Sequence, residues 1–297
     1  MQDLYYLLLS PLRIVYWLLT TYAIFLKGGT GVPSLYSLTQ VAGHGDVTST
    51  NSTKAIVKKT NRIEASFYIT LAQPQHAQLR HFVPQFYGYH QIPSTQLSLK
   101  RRLRHAVLGT SLLQQKTYQI HLENVLTKYN HPALMDLKLG VRRYDDNASF
   151  LKRVQMIALS QITDFQQRGV YVEGVQVYNP HTRTYIRHTS WLSRVQAAVD
   201  TTTSFQRFFP THLPKAYRKF LIKRFRRRLD ELTETIRRQE VRIYGSSLLF
   251  SYEGDVQRWY LYQAQRANSE AKVDCRQRIR SADLFDFKLI DFAHATW

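Results

Sequence analysis

Along the 297-residue chain, apolar and polar positions alternate with two different periods, and the changes of period mark out the elements. Ala55-Ile56-Val57 reads as a strand that ends at Lys58-Lys59. Residues 61–72 follow with Ile63, Phe67, Tyr68 and Leu71 at helical spacing and Glu64 in the first turns. Phe82 to His90 and Thr117 to Leu122 are predicted strands, the second running into Glu123-Asn124-Val125. After Pro132, the run Ala133 to Gly140 alternates so that Asp136 and Lys138 share one face of a strand. A helix over 149–166 and a strand from Val170 to Tyr178 come next. Lys215 to Arg238 is a long helix with Tyr217, Leu221, Phe225, Leu229, Leu232 and Ile236 on one face. Strand signals return at Arg242 to Tyr252, and a last strand, Phe287 to Phe292, carries Asp291 near its end. No internal repeat interrupts this order.

Composition adds that the chain folds, because 44% hydrophobic and 21% charged residues match ordinary globular usage. Charge changes the picture more. There are 41 Lys and Arg against 21 Asp and Glu, a formal +20, which attracts polyanions without saying which: duplex, acidic membrane or phosphorylated small molecule. One cysteine, Cys275, excludes an internal disulfide framework or a Cys-rich zinc site and fits a reducing compartment, cytoplasmic or nuclear. Leu4 to Leu26 approaches the roughly 20 apolar residues that cross a bilayer. Arg13 and Pro11 interrupt it, so membrane contact through residues 4–26 competes with a buried or interfacial helix and with a segment outside the working fold. Lys27-Gly28-Gly29 closes the segment as a linker, and Gly31 to Thr53 is rich in Gly, Ser and Thr, with a tight turn at Val41 to Gly45.

Pro132, Asp136, Lys138 and Gly140 reproduce a Pro-x-x-x-Asp-x-Lys-x-Gly pattern, and on these residues the chain resembles the inositol polyphosphate kinases. Further matches occur in the family's order. Val41 to Gly45 is similar to its glycine-rich entry, Lys58 with Glu64 and Phe67-Tyr68 to its lysine strand and following helix. Ser246-Ser247-Leu248-Leu249 matches its Ser-Leu-Leu element, and Ile290-Asp291-Phe292-Ala293-His294 its metal-binding strand. Within the family, Leu122 to Val125 and Asp136 to Gly140, followed by Arg142, Asp145-Asp146 and Ala148-Ser149, look most like the inositol hexakisphosphate kinases, with the multikinases close behind.

The resemblance implies an α+β, two-lobed kinase-like fold of the inositol polyphosphate kinase/SAICAR-synthase type, with an antiparallel N-lobe sheet and a mixed C-lobe. Residues 1–30 would be an apolar extension, 31–130 an ATP-binding N-lobe and 131–297 a C-lobe for inositol phosphate and metal. It implies ATP and Mg2+ as cofactors and an inositol polyphosphate as substrate, the leading reaction being conversion of the hexakisphosphate to a diphosphoinositol phosphate. Lys58 would hold ATP phosphates, Glu123, Asn124 and Val125 the adenine edge, and Asp291, supported by Ser247, the magnesium. Asp136 would orient the acceptor and Lys138 stabilise the transferred phosphoryl group. Lys152 and Gln155 would meet inositol phosphates, with Arg142 and His294 as lesser contacts.

Two departures accompany the match. The chain ends at Trp297, three residues after His294, where relatives continue through a further helical segment, so the fold is expected to be truncated at its C-terminus with apolar surface uncovered. Leu159 stands where relatives carry a lysine on the substrate-facing helix. The basic runs Lys223 to Arg228 and Lys100 to Arg104 suit nucleic acid in charge alone, but no nucleic-acid motif accompanies them. The first reads as the solvated face of its helix, with Phe225 in the core.

Overall fold

The computed structural model describes residues 47–49, 54–92, 118–140, 150, 153–154, 157, 169–188, 201–267 and 278–297. Two antiparallel sheets organise them. The first has the order β1-β2-β4-β3, built from β1 (Val47–Ser49), β2 (Ala55–Thr60), β3 (Phe86–Gln91) and β4 (Tyr118–Glu123). Helix α1 (Arg62–Leu71) follows β2 directly, because Asn61 takes an extended conformation and its side chain accepts a hydrogen bond from the Glu64 amide at 2.9 Å. A 3-10 turn and the short α2 (Ala77–Arg80) lead toward β3, whose start lies four residues later than the alternation predicts. Pro84 explains the delay: it has no amide to give a ladder, and Phe82 and Val83 are spent in the preceding turn, buried in the core.

The second sheet has the order β10-β9-β5-β6-β7, from β5 (Pro132–Leu139), β6 (Val170–Asn179), β7 (Thr184–His188), β9 (Ser247–Glu253) and β10 (Phe285–Ile290). Helix α3 (Thr201–Phe208) packs on β6, and α4 (Lys215–Arg237) lays its apolar stripe on the sheet, with Tyr217, Leu221, Phe225 and Leu232 buried and Leu229 and Ile236 packed against the core. Helix α5 (Val256–Ala267) adds Trp259, whose ring stacks on Tyr217 at 4.8 Å. Phe250 and Phe287 join the sheet to α4 through Phe225. Phe150, Arg153, Val154 and Ile157, the described part of the segment 149–166, are helical as expected.

Two differences from the sequence reading have local causes. The last long strand ends at Ile290, so Asp291 lies beyond it, at φ 65°, a left-handed conformation in which a carboxylate residue is tolerated better than most. The signals at Arg242 to Tyr252 divide into β8 (Arg242–Ile243) and β9, separated by Gly245 at φ 64°, and β8 pairs with a final two-residue strand, β11 (Ala295–Thr296). Trp297 then stacks on Phe67 at 4.9 Å and meets the His76 ring at a tilt, with centroids 3.9 Å apart. Among the described residues no helix is long and apolar enough to cross a membrane; residues 4–26 and Cys275 lie outside them.

Candidate functional site

Two lysines from different sheets converge on one carboxylate. Lys58, near the end of β2, reaches Asp291 Oδ1 at 2.6 Å, and Lys138, near the end of β5, reaches Asp291 Oδ2 at 2.9 Å. Lys58 also binds Glu64 of α1 at 2.7 Å. Glu64 is fixed in turn: its carboxylate accepts from the Thr60 hydroxyl and, at 3.1 Å, from the Phe292 amide. The Asn61 side chain donates to the Ala293 carbonyl at 3.0 Å, and the Ser246 hydroxyl to the Asp291 carbonyl at 2.7 Å. The turn after β10 is thereby held from both lobes, and Phe292 is clamped between Phe67, stacked at 4.2 Å, and the edge of Tyr68.

Electrostatics in this cluster run against the ordinary behaviour of buried charges. Burial alone would neutralise Asp291, but Lys58 and then Lys138 outweigh it and hold the carboxyl well below its usual range. Burial likewise opposes the charge on Lys58, and Asp291 and Glu64 reverse that, raising its affinity for the proton. Lys138 is raised in the same way by Asp136 and Asp291. Asp136 is the exception. It is 5% exposed, and its burial pushes the carboxyl up to about 6; Asp291 adds to the shift and Lys138 opposes it. Asp136 Oδ1 and the neighbouring Ser247 Oγ are both buried without a hydrogen-bond partner.

Asp136 and Lys138 therefore do share a face, and Ser247 sits opposite Lys138 in the β5/β9 register. Glu123 and Asn124 close β4: the Glu123 amide donates to Gln85 O at 2.8 Å, the Asn124 amide to Lys54 O at 2.9 Å, and Asn124 Oδ1 caps the turn at Leu126. That turn joins the two sheets, with Val125 in it. His294 lies in the turn between Asp291 and β11. Arg142, Lys152 and Gln155, with Leu159 and the Val41 to Gly45 turn, fall outside the described residues. Thr60 and Asn61 escape the motif reading, although Asn61-x-x-Glu64 is a helix-start signal visible in the sequence, and Ser246 enters it only as part of the Ser-Leu-Leu element, with no role of its own.

Two buried oxygens without partners beside a strongly charged Asp291 are hard donors that suit a divalent cation. Among the described residues no group of three His, Cys, Asp or Glu side chains is placed to hold a metal, so phosphate oxygens would have to complete its shell, as magnesium prefers. A cavity of about 490 Å³, lined by Gln78, His81, Phe82, Lys128, Arg228 and Asp286 among others, lies toward the opposite end of β10 and includes none of these residues. The basic run of α4 is only partly a solvated face. Arg224 lies over Phe220, and Arg228 lies over Phe82 and Phe287 and pairs with Asp286.

Comparison with known proteins identifies the family. The family described as inositol polyphosphate kinase matches residues 119–297. The inositol polyphosphate multikinase of Saccharomyces cerevisiae is 32% identical over 50% of this chain and 46% of its own length. Inositol hexakisphosphate kinase 3 of Mus musculus is 28% identical over 59% of this chain and 42% of its own. The chain thus spans less than half the length of these two curated relatives. The multikinase of Schizosaccharomyces pombe is 22% identical with 87% of each chain covered. A crystal structure of the S. cerevisiae inositol phosphate multikinase in complex with ADP and Mn2+ superimposes with a TM-score of 0.60 at 27% identity, covering 82% of this chain and 89% of that one. The two-lobed kinase-like architecture and the match over more than half its length place this chain in the inositol polyphosphate kinase family.

Proposed function

We propose that the protein transfers the γ-phosphoryl group of ATP to an inositol polyphosphate, with residues 31–130 receiving the nucleotide and 131–297 the acceptor. The observation that carries this reading is the convergence of Lys58 and Lys138 on Asp291, one lysine from each sheet. Phosphoryl transfer asks a protein chiefly to position its reactants and to neutralise the charge on the moving group. Lys58, anchored by Glu64, serves the nucleotide phosphates, while Lys138 serves the transferred group. The turn at Glu123, Asn124 and Val125 offers backbone to the adenine edge. Asp291, with Ser247, would hold magnesium, which supplies charge neutralisation at the phosphate oxygens. Arg142, Lys152, Gln155 and His294 are assigned to the phosphates of the acceptor.

The acceptor itself divides into two classes: a phosphate of the hexakisphosphate, as the sequence resemblance favours, or a hydroxyl of a less phosphorylated ring. The state of Asp136 favours the hydroxyl. A carboxyl raised to about 6 is largely ionised at neutral pH yet binds a proton far better than a free aspartate, which suits a general base. The ring oxygen attacks the γ-phosphorus, the bond to the β-phosphate oxygen breaks, and the hydroxyl proton passes to Asp136. A phosphate acceptor has no such proton to surrender.

The test incubates the purified chain with ATP, magnesium and a panel of inositol phosphates and resolves the products, with Asp291→Ala as control. Phosphorylated rings that the control fails to make bear the reading out. A diphosphoinositol product as the main species returns the acceptor to the hexakisphosphate class, and no product from folded protein overturns the enzymatic reading.

A further inference from the structure

The cavity of about 490 Å³ has walls from both sheets' sides of the molecule. His81 and Phe82 follow α2 on the first side, Arg228 of α4 and Asp286 of β10 belong to the second, and Lys128 lies in the connection between β4 and β5. Charge here does not balance. Among the described residues Asp286 is the one acid within ion-pair reach of three cations: Lys128 at 3.1 Å, Arg228 at 3.1 Å and Lys288 at 4.0 Å. Glu231, the other acid of the wall, is paired with Arg227 at 3.1 Å. Burial accordingly weakens the hold of the Lys128 ammonium on its proton; Asp286 opposes this only in part, and Lys288 adds to it. Arg228 shows the same deficit at one atom. A terminal nitrogen of its guanidinium donates to the His81 carbonyl at 3.0 Å and lies 3.1 Å from Asp286 Oδ1, while the rings of Phe82 and Phe287 flank the group at 5.0 and 5.4 Å. Its Nε is buried and, among the described residues, finds no acceptor.

We infer that this cavity is a phosphate-binding site, separate from the residues of the proposed reaction, which takes a phosphate group as the free ion or on a small ester and joins the two lobes through it. A cavity of this volume admits a metabolite and not a duplex. The phosphate supplies the anion that one aspartate cannot be for three cations. It accepts from Arg228 Nε and from the third proton of Lys128, the other two being directed to the Ala282 carbonyl at 3.0 Å and to Asp286 at 3.1 Å. These donors stand on different walls, and a tetrahedral phosphate offers oxygens to both, where a planar carboxylate serves one. Phe82, Phe285 and Ala282 give the remaining wall an apolar surface for the body of an ester. Asp286 and Asp291 are five residues apart along β10 and the turn after it, about 17 Å at strand rise, so the phosphate lies beyond reach of the reacting groups.

The experiment reads the cavity through its own lysine. The full chain is pulse-acetylated at fixed pH and ionic strength in chloride, in inorganic phosphate and in phenyl phosphate, and acetylation of Lys128 is followed by mass spectrometry against the exposed Lys219 of α4. At least one of the two probes is expected to slow acetylation of Lys128 saturably, by about threefold or more, with Lys219 unchanged. Protection by phenyl phosphate at lower concentration assigns the site to an ester, and equal or better protection by inorganic phosphate to the free ion. Less than threefold with both probes, or an equal loss at Lys219, overturns the inference. Arg228→Gln should abolish the protection, and its persistence in a variant that melts as wild type does overturns the site. Should that variant not fold, Asp286→Asn decides: with the competing anion gone, protection should set in at about tenfold lower phosphate, and an unchanged or higher midpoint counts against the site. Asp291→Ala keeps this test apart from the proposed reaction. Lys128 should be protected there as in wild type, and a loss of protection would move the phosphate to the reaction site and remove the inference.

Discussion

The two ends of the neighbouring strands β5, β9 and β10 treat buried carboxylates in opposite ways. At one end Glu253, fully buried at the end of β9, has every lone pair in use: it accepts from the amides of Asn130, His131 and Asp255 and from Arg258 at 2.7–2.9 Å. Toward the other end, four residues along β5 from the partner of Glu253, Asp136 keeps one oxygen with no donor, near the equally unpartnered Ser247 hydroxyl. A satisfied carboxylate fixes a fold, since nothing is left for a ligand to satisfy. An unsatisfied one stores a demand that substrate or metal can meet. The same contrast separates Asp291, whose charge two lysines hold in place, from Asp136, whose proton is only loosely released.

That contrast can be broken at each end. Asp291→Ala should lower kcat by at least about 10³-fold, equivalent to about 4 kcal/mol, if the acid holds magnesium as proposed. The folded state should survive, Lys58 still having Glu64; single-turnover kinetics beside a thermal melt reads both. Glu253→Ala should do the reverse. It strands Arg258 and three amides, so denaturant titration should show a loss of about 3 kcal/mol or more, with kcat little changed in the protein that remains folded.

Asp136→Asn sharpens the comparison through pH. The folded carboxyl holds its proton to about 6 against an ordinary 3.8, so as pH rises between these values the unfolded chain loses a proton that the folded one keeps, and stability falls. The asparagine variant escapes this and should be more stable than wild type at pH 7 by up to about 3 kcal/mol, with the advantage gone below pH 4. Its turnover should collapse, and the wild-type rate should climb tenfold per pH unit up to about 6 and then level, a limb the variant lacks. Asp291 carries the opposite sign: its depressed value contributes stability that is present above the usual carboxylate range and lost as pH falls. The smallest effect belongs to an ion pair at neither end. Arg238→Ala breaks an exposed pair with Glu234 on α4 and should change unfolding free energy by no more than about 0.5 kcal/mol.

Legibility in the sequence follows the range of the interactions. The shared face of Asp136 and Lys138 and the buried stripe of α4 are set by neighbours two to four residues apart, and both stand as the periodicity predicts. What the pattern misses acts over long separations or through the backbone. Ser246 binds a carbonyl 45 residues away, Asn61 one 232 residues away, and Glu253 collects amides from 122 and 123 residues upstream. No period encodes such contacts. The position of Asp291 after its strand is a matter of one backbone dihedral angle, and the bulge in β6, where Asp136 pairs with Gly174 but Leu137 with Val172, shows only as two buried valines, Val172 and Val175, at the wrong spacing for a strand.

One hydrogen bond between the lobes reaches further than its size suggests. The Leu289 amide on the outer side of β10 donates to the Phe82 carbonyl at 2.6 Å, while Lys288 and Arg228 close on the adjacent His81 carbonyl. β10 is the edge of its sheet, and a bare edge strand is a template for any other extended chain. Here the N-lobe itself occupies that template. Motions that part the lobes on this side would uncover a sticky ribbon, so colloidal behaviour at high concentration becomes a readout of how often the two halves separate.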